Sequence, residues 1–286
     1  MLISNFLFPE SRSPDDDGHV IRETLEEARL TDRLGYDVIW LGEHHFDGIC
    51  AYVDPVSFAA ALATSTSRAK IGFAVAQMAL HHPIRLAEQV SVIDQLSHGR
   101  MIVGLGRGTA YNIYDYQGYG IDPNEAQARF EEAELVMRRA WTGEPLDHKG
   151  RYFNLKLPAL RPAPFAKPHP PIIRAAATEH GMIEIAKRRQ PFMLNIQSDA
   201  VVAERMLLYR KTVAEAGADP TEVAALVRQC WAWRNVVVAE TDAEAERIAV
   251  PAFHAMNAGR TAMRERVARE QGLSLGDRKS TRLNSS

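Results

Sequence analysis

Short apolar runs alternate with amphipathic stretches along almost the whole chain, and this alternation predicts parallel βα units. The first strand covers Ile3 to Phe8, and a helix follows from Val20 to Leu34, with Ile21, Leu25 and Ala28 on one face. Gly35 ends that helix. Val38 to Leu41 are continuously apolar, the pattern of a strand buried on both faces. Asp54-Pro55 supplies a capping residue and a first-turn proline for the second helix. The third strand spans Ile71 to Ala76, and Pro83 opens a helix whose Leu86, Val90, Ile93 and Leu96 recur at helical spacing.

Strand four runs from Met101 to Leu105, a long loop from Arg107 to about Pro123, and helix four from Phe130 to Trp141. Residues 144–171 carry seven prolines and break the rhythm, and they read as a hairpin excursion inside one domain. The βα alternation resumes with Ile172 to Ala176, a helix capped by Thr178, strand Phe192 to Ile196, and a helix from Asp199 to Gly217. Strand seven falls within Ala232 to Ala239, and Thr241-Asp242-Ala243-Glu244 forms a capping box. Seven βα units can be counted. The expected organisation is a single domain over residues 1–276, truncated after about seven units, with 277–286 as a non-native or disordered tail.

Composition narrows the class. At 286 residues, with 46% hydrophobic and 24% charged positions and a net charge of −2, the chain reads as a globular enzyme. Nothing in that balance recommends nucleic acid or an anionic membrane as partner. Cys50 and Cys230 lie far apart in no metal-ligand spacing, which fits reduced thiols and no metal site. With no signal peptide and no apolar run long enough to span a bilayer, the expected location is the cytoplasm.

Chemistry concentrates at strand ends. Glu43-His44-His45-Phe46 crowds two imidazoles, a carboxylate and a ring at the carboxyl end of the second strand, where barrel enzymes place catalytic groups. Adjacent residues of an extended strand point to opposite sides, so His44 and His45 cannot both face one site. Gly104, Gly106 and Gly108 alternate after strand four, and small residues there let a flat ring approach the backbone. Arg107 among them offers a planar cationic fork to a phosphate. Thr178 is a preferred helix cap, and a helix amino end is also an anion site; the two roles are compatible. Tyr111, Tyr114, Tyr116 and Tyr119 stud the loop after strand four, as pocket lining or as loop surface. Lys187-Arg188-Arg189 reads as a plain basic helix end.

Glu43 to Phe46, His82 to Gln89 with Ile93 to Arg100 and Gly104 to Gly108, and Lys167 to Ile173 occur in one order and spacing. In these blocks the chain resembles the bacterial luciferase-like flavin-dependent monooxygenases over about residues 1–258. The resemblance implies a TIM (β/α)8-type barrel that uses reduced FMN, delivered by a separate flavin reductase, and oxygen to oxygenate a small organic substrate such as an aldehyde or ketone. It selects His44 as the inward catalytic residue, leaves Glu43 and His45 to orientation and packing, and implies flavin contacts from Ala74, Val75, Gly106, Arg107 and Thr178. Ala74-Val75 lies where the family often has a cis peptide. The luciferase α subunit carries a cysteine where this chain has Gly106, a departure that bears on light emission and not on flavin binding. The alternatives are an F420-dependent oxidoreductase of the same superfamily and a noncatalytic flavin-binding protein. The family commonly forms homodimers through helices of the barrel wall.

Overall fold

The computed structural model describes residues 2–11, 13–108, 113–176 and 178–270. The proposed tail 277–286 and Tyr111 lie outside them. The chain opens with strand β1 (Ser4–Leu7), helix α1 (Asp17–Arg33), β2 (Val38–Leu41), α2 (Pro55–Ser65), β3 (Lys70–Phe73) and the two-residue β4 (Ala76–Gln77). It continues through α3 (Pro83–Leu96), β5 (Met101–Gly106), the short α4 (Ile113–Gln117) and α5 (Ala126–Ala140). An antiparallel hairpin, β6 (Leu146–Lys149) and β7 (Asn154–Leu157), occupies the proline-rich excursion. The last elements are β8 (Ile172–Ala175), α6 (Glu179–Lys187), β9 (Phe192–Leu194), α7 (Asp199–Glu215), α8 (Pro220–Val227), β10 (Trp231–Ala232) and α9 (Asp242–Glu270).

Seven strands form one parallel sheet in the order β1-β2-β3-β5-β8-β9-β10, and β4 adds to β5. Period-two alternation sorts their side chains. Ile39, Leu41, Ile71, Phe73, Met101, Val103 and Leu105 pack outward, in one core with Leu62, Leu86, Val90 and Met137 of the surrounding helices. Val38, Trp40, Ile102, Ile173 and Met193 form a second, inner cluster with Phe6 and Trp231 at its margin. Gly72 makes room for it, because a Cβ there would overlap the Trp40 ring. The sheet curls far enough that Phe6 of β1 meets Trp233, just past β10, at 4.8 Å between ring centroids. This is the curled, helix-wrapped sheet of a TIM-type barrel.

Three expectations change. The third strand is not continuous to Ala76: β3, which pairs with both β2 and β5, ends at Phe73, and Ala76 and Gln77 resume the pairing with β5 as β4; the Ala74–Val75 peptide between them is cis. The loop after β5 contains α4 and a 3-10 turn at Pro123–Glu125, so helix four begins earlier, at Ala126. The seventh strand is only Trp231–Ala232. Val236 and Val238 beyond it are 74% and 88% exposed, and with no layer over them the apolar run does not extend the ladder. Helix α8 is an addition, capped by Asp219 through the N–H groups of Thr221 and Glu222.

Candidate functional site

The expected residues stand at the carboxyl ends of four adjacent strands, β2, β3, β5 and β8. Continuing the alternation of Val38 and Trp40 past β2 puts Gly42 and His44 on the inner side. A Cβ on Gly42 would press on the Phe6 and Phe8 rings, so this glycine lets the aromatic pair close over the strand end. His44 is half-buried, with its ring edge-on to Phe8 at 5.1 Å. Ala74 and Val75 pack against the inner cluster. A Cβ on Gly106 would overlap Val75 Cγ2 and stand 3.8 Å from Ala175 Cβ, so Val75, Gly106 and Ala175 meet as a low floor across three strands.

Arg107 leaves that floor half-buried, and its carbonyl accepts a hydrogen bond from the Tyr116 hydroxyl at 3.3 Å. Thr178 caps α6 by accepting from Gly181 N–H at 3.1 Å, which leaves its own O–H free to donate. Ser198 caps α7 in the same way. The two helix starts flank a depression lined by Ala176, Thr178, Leu194, Gln197, Val201 and Arg205. Two helix amino ends suit an anion, and the Arg205 guanidinium beside them, paired with Glu179, adds positive charge; the low floor next to them suits a planar ring. The residues present therefore fit a flat, phosphate-bearing cofactor.

Glu43 and His45 face outward and form a buried polar cluster that sequence reasoning did not foresee. His45 Nε2 lies 2.8 Å and His81 Nε2 3.0 Å from Glu43 Oε1, and Gln77 N–H donates to Oε2 at 2.5 Å. Burial pushes the Glu43 carboxyl up, but the His81 charge and the hydrogen bonds from His45, His81 and Gln77 outweigh it and hold it at about 2. For His81, burial opposes the charge, but Glu43 outweighs it and the imidazole rises above its ordinary value. Tyr119 O–H reaches His45 Nδ1 at 3.2 Å. Asp115 of α4, fully buried, accepts from His45 N–H at 2.9 Å and from Gln77 Nε2 at 3.1 Å. Burial raises its carboxyl to about 6 against those hydrogen bonds. Gln77, His81 and Asp115 escaped the sequence reading because their partners lie 34 to 70 residues away. Among the described residues no group of three or more potential metal ligands converges on an ion.

An imidazole, a low floor and two helix amino ends thus gather at the inner strand ends of a TIM-type barrel. Residues 1–283 match the model of the luciferase-like monooxygenase family, and the chain belongs to that family. It is 37% identical over 161 residues to limonene 1,2-monooxygenase of Rhodococcus erythropolis, across 56% of this chain and 41% of that one. It is 30% identical over 154 residues to the oxygenase component of the flavin-dependent trigonelline monooxygenase of Acinetobacter baylyi, across 54% and 42%. The chain thus spans less than half the length of these two relatives. The fold superposes on monooxygenase RslO1 from Streptomyces bottropensis with a TM-score of 0.82 and 27% identity, over 96% of this chain and 84% of that one. Against the FMN complex of the oxygenating constituent of 3,6-diketocamphane monooxygenase from Pseudomonas putida, the TM-score is 0.75 at 20% identity, over 96% and 80%. No described helix is long and apolar enough to cross a membrane.

Proposed function

We propose that this protein is a flavin-dependent monooxygenase that takes reduced FMN from a separate reductase and transfers one atom of molecular oxygen to a small organic substrate. The observation that carries the reading is the floor where Val75, Gly106 and Ala175 meet, set between His44 on one side and the α6 and α7 amino ends on the other. Thr178 and Arg107 would hold the phosphate, and Ala74, Val75 and Gly106 would lie under the ring. When bound, the flavin supplies the activation of oxygen, which no side chain here can do. The protein orients that ring, and Phe6, Phe8 and Trp233 keep water from its surroundings. His44 gives or takes a proton beside the reacting atoms, a role an imidazole suits because it can both donate and accept one.

Sequence likeness favours a flavin over F420, since a relative of 30% identity is named flavin-dependent. The relative named as an oxygenase component supports a separate reductase, whereas the F420-dependent secondary alcohol dehydrogenase is similar at 21% identity and speaks for the fold alone. The test is turnover of an aldehyde and ketone panel with reductase-supplied FMN under ¹⁸O₂. One labelled oxygen atom per product is expected. Unlabelled product formed only with F420 would replace this reading by hydride transfer, and saturable flavin binding without product on any panel member would replace it by a noncatalytic flavin carrier.

A further inference from the structure

His44 lies beyond the end of β2, where the strand ladder no longer holds the backbone. Its two flanking peptide groups are held by side chains instead. Gln77 Nε2 donates to the Glu43 carbonyl at 2.9 Å, and His45 N–H donates to Asp115 Oδ1 at 2.9 Å. The two clamping side chains are themselves joined, Gln77 Nε2 to Asp115 Oδ2 at 3.1 Å. Both are buried, at 2% and 0% exposure. The next residue of α4, Tyr116, bonds the Arg107 carbonyl, so one short helix touches the backbone beside both His44 and the proposed phosphate ligand.

We propose that Asp115 and Gln77 are positioning residues that aim His44 into the flavin site, and that the clamp closes only when Asp115 is ionised. The proposal rests on the role given to His44 above. Its chemistry follows from donor and acceptor inventory. An ionised carboxylate accepts at both oxygens, and the His45 N–H and the Gln77 Nε2 that bond Asp115 are both donors. A protonated Asp115 sets an O–H against one of them. Gln77 has the means to respond, because its buried Oε1 has no hydrogen-bond partner among the described residues and an amide flip would turn it toward that O–H. The same flip takes Nε2 away from the Glu43 carbonyl and releases one side of His44.

The groups facing this clamp come from several neighbouring elements, and Arg266 and Glu270 of α9 act on Tyr114 beside Asp115. Glu43 and His45 approach from the end of β2, and His81 acts through Glu43 from the turn before α3. Tyr116 and Tyr119 follow on the same stretch as Asp115, Arg107 lies against Tyr116, and Asp54 acts on His81 and Tyr119. Burial, with the Glu43 charge, outweighs the N–H donors and brings Asp115 to about 6, inside the range where a protein is handled.

The experiment follows the ¹⁵N-labelled imidazole of His44 against pH in the flavin-free protein, with reduced-FMN affinity and steady-state kinetics measured on the same samples. The parent should show, besides the titration of His44 itself, a second inflection near pH 6. Asp115→Asn should abolish it, leave FMN affinity within about threefold, and lower kcat on the order of 10- to 100-fold with little change in KM, the pattern of a misaimed group. Gln77→Met should move the inflection to higher pH, because the ionised carboxylate loses one donor; this variant decides the matter if Asp115→Asn does not fold. An inflection that survives Asp115→Asn, or that Gln77→Met leaves in place, would overturn the clamp. Since the inflection is read without flavin, it stands or falls separately from the proposed function, which fails instead if the parent does not bind FMN.

Discussion

Replacing Glu43 by Gln removes the charge at the centre of the buried cluster while preserving shape. The carboxylate is 3% exposed and accepts from three N–H groups, on His45, His81 and Gln77. A glutamine has one acceptor oxygen, so its NH₂ must face at least one of those donors. The folded carboxyl titrates at about 2 against an ordinary 4.5, and that gap, at 1.36 kcal/mol per pKa unit, corresponds to about 3 kcal/mol. Breaking a buried ion pair by removing one partner costs roughly 3–5 kcal/mol, which agrees. Because the folded value lies below the unfolded one, this stabilisation is fully present above pH 4.5 and is lost as pH falls toward 2. At pH 7 the variant should therefore unfold about 3 kcal/mol more easily, with Tm lower by roughly 6–12 °C. The two proteins should converge as the buffer is taken below pH 4.5. The His81 imidazole, no longer facing a carboxylate, should titrate at lower pH than in the parent, as seen by NMR. A Tm within 2 °C of the parent at pH 7, with His81 unmoved, would refute this account of the cluster.

His44→Ala should keep flavin affinity and lose turnover by about 10²-fold or more, the usual loss for a removed acid or base; unchanged product formation would remove His44 from the chemistry. Arg107→Ala should weaken flavin binding by about 1.5–3 kcal/mol, and Thr178→Val by less, since the charge-assisted bond is the stronger; equal and unaltered dissociation constants in fluorescence titrations would return both to structural roles. Gly104→Ala should destabilise the fold severely, because its Cβ would overlap the Phe73 carbonyl oxygen, which belongs to backbone and cannot swing aside. A soluble Gly104→Ala protein with parental Tm would contradict that packing.

The barrel was legible because buried parallel strands are written as unbroken apolar runs, and Val38–Leu41 and Met101–Gly106 fall where those runs do. The caps were equally plain: Asp54 bonds Val56 N–H, Thr178 bonds Gly181 N–H, and Glu244 N–H bonds Thr241. Helix α8 carries the same Asp-Pro signal at Asp219-Pro220 as α2 does at Asp54-Pro55, and attention to that repeat would have found it. Strand geometry also separated His44 from His45, and the resemblance supplied which of the two faces inward. What joins the outer face is not local. Gln77 sits in an unremarkable Ala-Gln-Met run, and Asp115 in a tyrosine-rich loop; only the folded chain brings them to His45. The run Val236–Val238 misled for the opposite reason, since apolarity makes a strand only where another layer covers it.

The central claim, that the inner rim holds a flavin between His44 and the α6 and α7 amino ends, is tested most directly by anaerobic titration of the parent, His44→Ala and Arg107→Ala proteins with reduced FMN. The account predicts saturable binding of one equivalent in the parent, the same affinity in His44→Ala and a weaker one in Arg107→Ala. Absence of saturable binding in the parent, or equal affinity in all three proteins, would contradict it.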